Sequence, residues 1–148
     1  KMGADKIQAE GTTLDVALML ECMNKRIEYL FDREHTIGHA FFLGIKDEPT
    51  IIKLANIFKK SVIPLLQEYF YEDYSKIMLV LGDNGKKQDE YKFILVTEIN
   101  TNAIFRGDTS DFDIPEYFYQ IQDSAFEEIN SYIEIVGDKK AENVSCGF

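Results

Sequence analysis

Val16, Leu20, Met23, Ile27 and Leu30 recur three or four residues apart, a spacing that fits one face of an α-helix and no strand. A stripe this long commits the chain to helix packing, because an amphipathic helix must bury its apolar face against another element. Thr12 is a natural cap ahead of the stripe, with Asp15 three residues on, so a helix is predicted from Thr12 to about Phe31. Residues 1–11 are polar and aperiodic, and read as a lead-in from upstream chain.

The helical pattern continues. Thr36 can cap a short apolar helix that starts at Ile37, Gly38 and His39 and runs through Phe42 to Gly44. Asp47, Glu48 and Pro49 form another start signal, followed by Ile51, Leu54, Ile57, Phe58 and Val62 at helical spacing. Pro64 forces a kink or break, after which Leu65, Leu66, Tyr69 and Phe70 resume an inward face. Residues 74–81 make one more short helix, with Gly82 placed for a left-handed C-terminal residue. Residues 12–82 therefore read as one helical unit.

Residues 83–90 are a charged, turn-rich loop and the best internal boundary. Beyond it the pattern changes: residues 91–99 are rich in Phe, Ile, Val and Thr and read as a buried strand. Residues 103–106 and 117–121 are candidate partner strands around an acidic turn at 108–113. Ser124 and Glu127 resemble a capping box for a last helix to about Val136, ended by Gly137, and 138–148 form a tail. The expected fold class is mainly α (α+β): a helical bundle over 12–82, then over 91–137 a small antiparallel sheet of two or three strands and a final helix.

A chain of 148 residues with 45% hydrophobic residues can bury a core as one compact unit. Its net charge of −10 argues against gripping a nucleic-acid backbone, which needs clustered Lys and Arg. The apolar runs are too short to span a bilayer, and no signal-peptide layout is present, so a soluble, cytoplasmic protein without membrane contact is expected. Cys22 lies in a helical pattern and Cys146 in the polar tail, so two free thiols are expected.

Both histidines sit in the stretch from Asp32 to His39, which concentrates the groups with catalytic potential. His35 and His39 are four apart, as in a zinc-binding helix. A zincin, however, needs Glu directly after the first His, whereas Glu34 precedes His35, so no metal site is expected. A nucleotide sensor is the second reading: the first turn of a helix at Ile37, Gly38 and His39 would offer free N–H groups, and His39 a side-chain donor. A plain connection is the third, with Arg33 and Glu34 in solvated pairs worth about 0–1 kcal/mol. The residues alone leave the last two open. No Gly-rich phosphate loop, nucleophile elbow or apolar carboxylate pair occurs, so no catalysis by this chain itself is expected. The aromatic block at residues 64–73 suits core packing or, as an alternative, an autonomous acidic interaction module.

Asn24-Lys25-Arg26-Ile27-Glu28-Tyr29-Leu30, the stretch from Asp32 through His39 to Phe42, Ile63-Pro64-Leu65-Leu66-Gln67-Glu68-Tyr69-Phe70, Asp73 and Val80-Leu81-Gly82 occur in that order. Together they resemble the AAA+ GTPase subunit of McrBC-type modified-cytosine restriction systems, in the helical lid after its nucleotide-binding core. The resemblance covers residues 14–82 and is looser from 91 onward. It implies a C-terminal lid fragment of a McrB-like motor, with GTP and Mg in the full-length protein and neither held tightly here. It further implies neighbouring subunits of a ring oligomer and a McrC-like nuclease as partners, with DNA bound through other domains. The phosphate loop and magnesium carboxylates are expected before Lys1. By position, His39 would be the nucleotide-sensing residue, Gly38 and Ile37 its backbone frame, and Arg33 and His35 subsidiary candidates.

Overall fold

The computed structural model describes residues 6–137. The chain opens with an antiparallel hairpin of β1 (Lys6–Ala9) and β2 (Thr12–Asp15), in register from Lys6 opposite Asp15 to Ala9 opposite Thr12. Glu10 and Gly11 both have positive φ, 54° and 74°, the turn that matches the twist of paired strands. Ile7 and Leu14 face each other and are buried. Residues read as an aperiodic lead-in thus include a strand, and Thr12 lies in its partner rather than capping a helix. With a single buried position in β1, no period was available to read.

Asp15 is the true cap of α1 (Val16–Leu30), accepting from the Leu18 N–H at 3.1 Å. Val16, Met19, Leu20, Met23 and Ile27 form its buried face, which packs on α5 (Tyr74–Leu81) and α7 (Ile129–Val136). Cys22 is also buried and is disulfide-bonded, which corrects the free thiol expected there; Cys146 lies outside the described residues.

The helix expected from Ile37 is absent. Residues 33–35 and 39–42 form 3-10 turns, and α2 (Gly44–Asp47) is a single turn. Asn24 in α1 explains this: its amide donates to the Ile37 carbonyl at 2.9 Å and accepts the Ile37 N–H at 2.6 Å. Both backbone groups of Ile37 are engaged by a side chain and unavailable to a helical ladder.

α3 (Ile51–Ile57) is capped by Thr50, which accepts from the Lys53 N–H at 3.1 Å, while Asp47 ends the preceding turn. A π-turn at Phe58–Val62 joins α3 to α4 (Ile63–Tyr69). Pro64 has no N–H to donate and would crowd the preceding turn. Widening that turn, with the Ile63 N–H reaching the Phe58 carbonyl, absorbs the defect without a break. Leu66 and Phe70 are buried and Tyr71 is exposed, as the helical face predicted. Asp73 caps α5, and Gly82 ends it with φ 76°. A Cβ at Gly82 would stand 2.9 Å from the Glu134 carbonyl in α7, so glycine serves both the turn and a close helix approach.

The C-terminal part holds β3 (Ile94–Glu98), the short α6 (Thr101–Ile104), β4 (Tyr117–Ile121) and α7. β3 and β4 pair antiparallel, Ile94 opposite Ile121 and Glu98 opposite Tyr117. Among the described residues the architecture is mainly helical with two small antiparallel two-stranded sheets. Three local expectations are corrected. β3 is buried only at its start, residues 103–106 supply no strand, and the Ser124 capping box lies in a 3-10 turn at Asp123–Glu127 ahead of α7. Among the described residues no helix is long and apolar enough to cross a membrane.

One core joins the helices to the C-terminal part. Phe58 stacks on Phe93 at 5.7 Å and meets Tyr132 edge-on at 4.9 Å, while Phe93 contacts Phe126 at 4.9 Å. The charged loop at 83–90 sends two side chains into this core, while its other residues are exposed. Asp83 and Lys86 are buried and paired at 2.8 Å. The Asp83 carboxylate also accepts the Phe93 and Ile94 N–H groups at 3.1 and 2.8 Å, which fixes where β3 begins. Lys86 donates to the Tyr91 carbonyl at 2.8 Å and lies 4.1 Å from the Phe93 ring centroid. Burial pushes the Asp83 carboxyl up and the Lys86 ammonium down, each towards neutrality, and each partner opposes the other's shift.

Replacing Lys86 by Met strands a buried carboxylate and should cost about 3–5 kcal/mol in denaturant unfolding; adding Asp83→Asn should recover much of it. A single variant as stable as the parent would contradict this account. At the α5 cap, the Ser75 hydroxyl holds the Asp73 carboxyl below its ordinary 3.8. A lowered folded pKa means the cap's contribution is complete above that value and is lost as pH falls through the lowered one. Asp73→Ala should therefore cost about 1 kcal/mol near neutrality, with the gap between parent and variant melting temperatures closing in acid.

Candidate functional site

Thr36 and His39 line one wall of a cleft of about 560 Å³; Glu21, Asn24, Lys25 and Glu28 of α1 line the other. The two walls are held together by the Asn24 clasp on Ile37. Because both bonds go to one backbone unit, the 36–39 segment keeps a fixed distance from α1. His39 is exposed and starts the 3-10 turn at His39–Phe42.

The five residues singled out by sequence occupy different surroundings. His39 faces the cleft. Gly38 has extended backbone, φ −79°, and a Cβ there would meet nothing closer than 4.0 Å, so neither conformation nor crowding demands glycine. The Ile37 side chain is buried in the core, and its contribution is the clasped backbone. Arg33 is exposed and pairs with Glu28 at 3.3 Å, which links it to the cleft's α1 wall. His35 sits apart: its Nδ1 meets Asp32 at 2.6 Å, and its ring lies 4.4 Å from Phe31 and 5.2 Å from Tyr69. That hydrogen bond holds the Asp32 carboxyl below the ordinary carboxylate range.

The expected phosphate seat at a helix start is not formed. A four-residue 3-10 turn lacks the aligned peptides that concentrate positive potential at an α-helix N-terminus. The cleft carries two carboxylates, Glu21 and Glu28, against the ammonium of Lys25. Such a wall offers acceptors to hydroxyl and amino donors, an imidazole and a hydroxyl, and no seat for a polyphosphate on its own.

A second cleft, also about 560 Å³, opens where α1, α5 and α7 meet, with Leu30, Leu79, Ile135 and Val136 in its lining. None of the five residues singled out by sequence is in its lining. Arg26 closes one side by donating to the Val80 carbonyl at 3.0 Å, tying α1 to α5.

Sequence reasoning missed Asn24, the residue that builds the first cleft. A signal was present, since Asn in a helix interior competes with the backbone and rarely sits beside an apolar stripe without a partner. The partner itself, thirteen residues away, was not readable.

Residues 15–78 match the family model described as McrB, alpha-helical lid domain. The match runs from the cap of α1 into α5, includes the Asn24 clasp and His39, and is consistent with the lid region of a McrB-like AAA+ subunit. A comparison with curated proteins gives no match.

Asn24→Ala removes two hydrogen bonds and leaves the backbone of buried Ile37 unpaired, so it should lower stability by about 1–3 kcal/mol. His39→Ala, at an exposed position, should stay within about 0.5 kcal/mol. Denaturant midpoints of the two variants check the contrast.

Proposed function

We propose that this chain is the lid part of a GTP-hydrolysing AAA+ motor subunit of a modification-dependent restriction endonuclease. The match of residues 15–78 to the McrB lid carries this reading, because the matched segment contains the cleft and the clasp that holds its walls. The remaining walls of the nucleotide site, with the phosphate-binding groups and Mg²⁺, belong to the nucleotide-binding core of the full-length protein.

In this reading the lid contributes His39, Thr36 and the α1 carboxylates to the base and ribose side of the nucleotide, where donors meet acceptors. The phosphates are neutralised elsewhere, consistent with the acidic balance of the cleft. His39 offers an imidazole donor where the wider class carries arginine, a contact without the guanidinium's planar fork of donors. Since Asn24 makes α1 and the 36–39 segment one body, closure over nucleotide moves the lid as a unit and transmits nucleotide state to neighbouring subunits and the nuclease partner. DNA is engaged through other domains.

His39→Ala in the full-length subunit should lower GTP turnover about tenfold, equivalent to ~1.4 kcal/mol, with assembly intact by sedimentation. Parent-like kinetics in a correctly assembled variant would remove His39 from the site.

A further inference from the structure

Six of the thirteen large apolar side chains exposed among the described residues fall between positions 96 and 118, on the β3–β4 hairpin and its connection. Single exposed apolar residues are ordinary; a concentration on one element marks a contact surface. The hairpin is anchored at its root. The Gln122 N–H reaches the Phe93 carbonyl at 2.8 Å, the Gln122 side chain donates to the Lys92 carbonyl at 2.7 Å, and Tyr119 stacks on Tyr74 of α5 at 5.7 Å.

Beyond the root the body ends and the apolar row continues. Strand alternation and the register place Ile94, Val96, Tyr119 and Tyr117 on one face. Ile94 is 1% exposed, whereas Val96 and Tyr117 are 42% and 48% exposed. The connection adds Ile104, Phe105 and Phe112, the last 67% exposed.

The arm is also acidic and ordered. Glu98, Asp108, Asp111, Asp113 and Glu116 are all exposed, against Arg106 alone among its basic residues. Asp108 accepts from the N–H and hydroxyl of Ser110, both at 3.0 Å, and the Phe112 N–H reaches the Thr109 carbonyl at 3.0 Å. A turn already fixed loses little freedom on binding.

We propose that this hairpin is a docking arm for a basic protein surface, an apolar cleft edged by Lys and Arg. A second copy is disfavoured, because a chain of net charge −10 meets the arm with like charge, and nucleic acid is disfavoured for the same reason. A protein that grips DNA phosphates displays the required cations. On the function proposed above, on which this assignment of the partner rests, that protein is the nuclease subunit.

The test uses the full-length subunit and its nuclease subunit, with binding titrated at low and high salt. Phe105→Ser with Phe112→Ser should weaken binding about tenfold or more. Asp111→Lys with Asp113→Lys should weaken it mainly at low salt and flatten the salt dependence. Both variants should keep the parent's melting temperature and its GTP turnover without the nuclease. Parent-like nuclease affinity in both, with turnover intact, overturns the arm. Altered self-association with unchanged nuclease affinity also overturns it, in favour of a second copy. Absence of GTP turnover in the parent protein is the separate result that sinks the lid reading itself.

Discussion

The buried Asp83–Lys86 pair is the constraint on which the joining of the two parts of this chain depends. A carboxylate with neither exposure nor bonds would be prohibitively costly in the core, and Asp83 is tolerated because it accepts from Lys86 and from two consecutive backbone amides. Those amides belong to Phe93 and Ile94, the last core residues before the hairpin leaves the body. The same pair brings Lys86 over the Phe93 ring, which in turn contacts Phe58, Phe126 and Tyr132. One electrostatic clasp therefore sets the position of an aromatic cluster and the exit angle of the arm.

Asn24 plays the corresponding part between α1 and the 36–39 segment. It takes up both backbone groups of Ile37, which prevents a helix from starting there and leaves the 36–39 segment as an extended wall opposite α1. The cost is the anion-binding potential of a helix start, and the gain is a cleft with fixed walls. Each polar side chain works by satisfying backbone groups that would otherwise be unpaired in a part-buried setting. Between them, the packing of α1 on α5 and α7 makes the two regions one body.

Legibility in the sequence followed the reach of the interactions. The α1 face, the Gly82 stop, the β4 strand and the inward face of residues 65–70 have local signatures in residue type and spacing, and all were readable from them. One expectation failed because a distant partner overrode a local signal: the helix start at Ile37 gave way to the Asn24 clasp thirteen residues away. The candidate site was legible as a region, since both histidines lie there, but not as a geometry. His35 turned to Asp32 and the Phe31 and Tyr69 rings, while His39 alone of the pair reached the cleft.

The sequence by itself determined the helical character of the first half, the change to strands after residue 90, and the ordered residue blocks by which residues 15–78 resemble a McrB lid. Those properties follow from periodicity, capping and residue identity, which act over one or two turns of chain. Tertiary structure alone decided that Ile37 is core, that the cleft is acidic, that Asp83 and Lys86 of a charged loop are buried and that the hairpin's apolar row outruns the body. Each of these depends on which groups meet across tens of residues, and burial reverses the meaning of a charge or an aromatic ring according to what it meets.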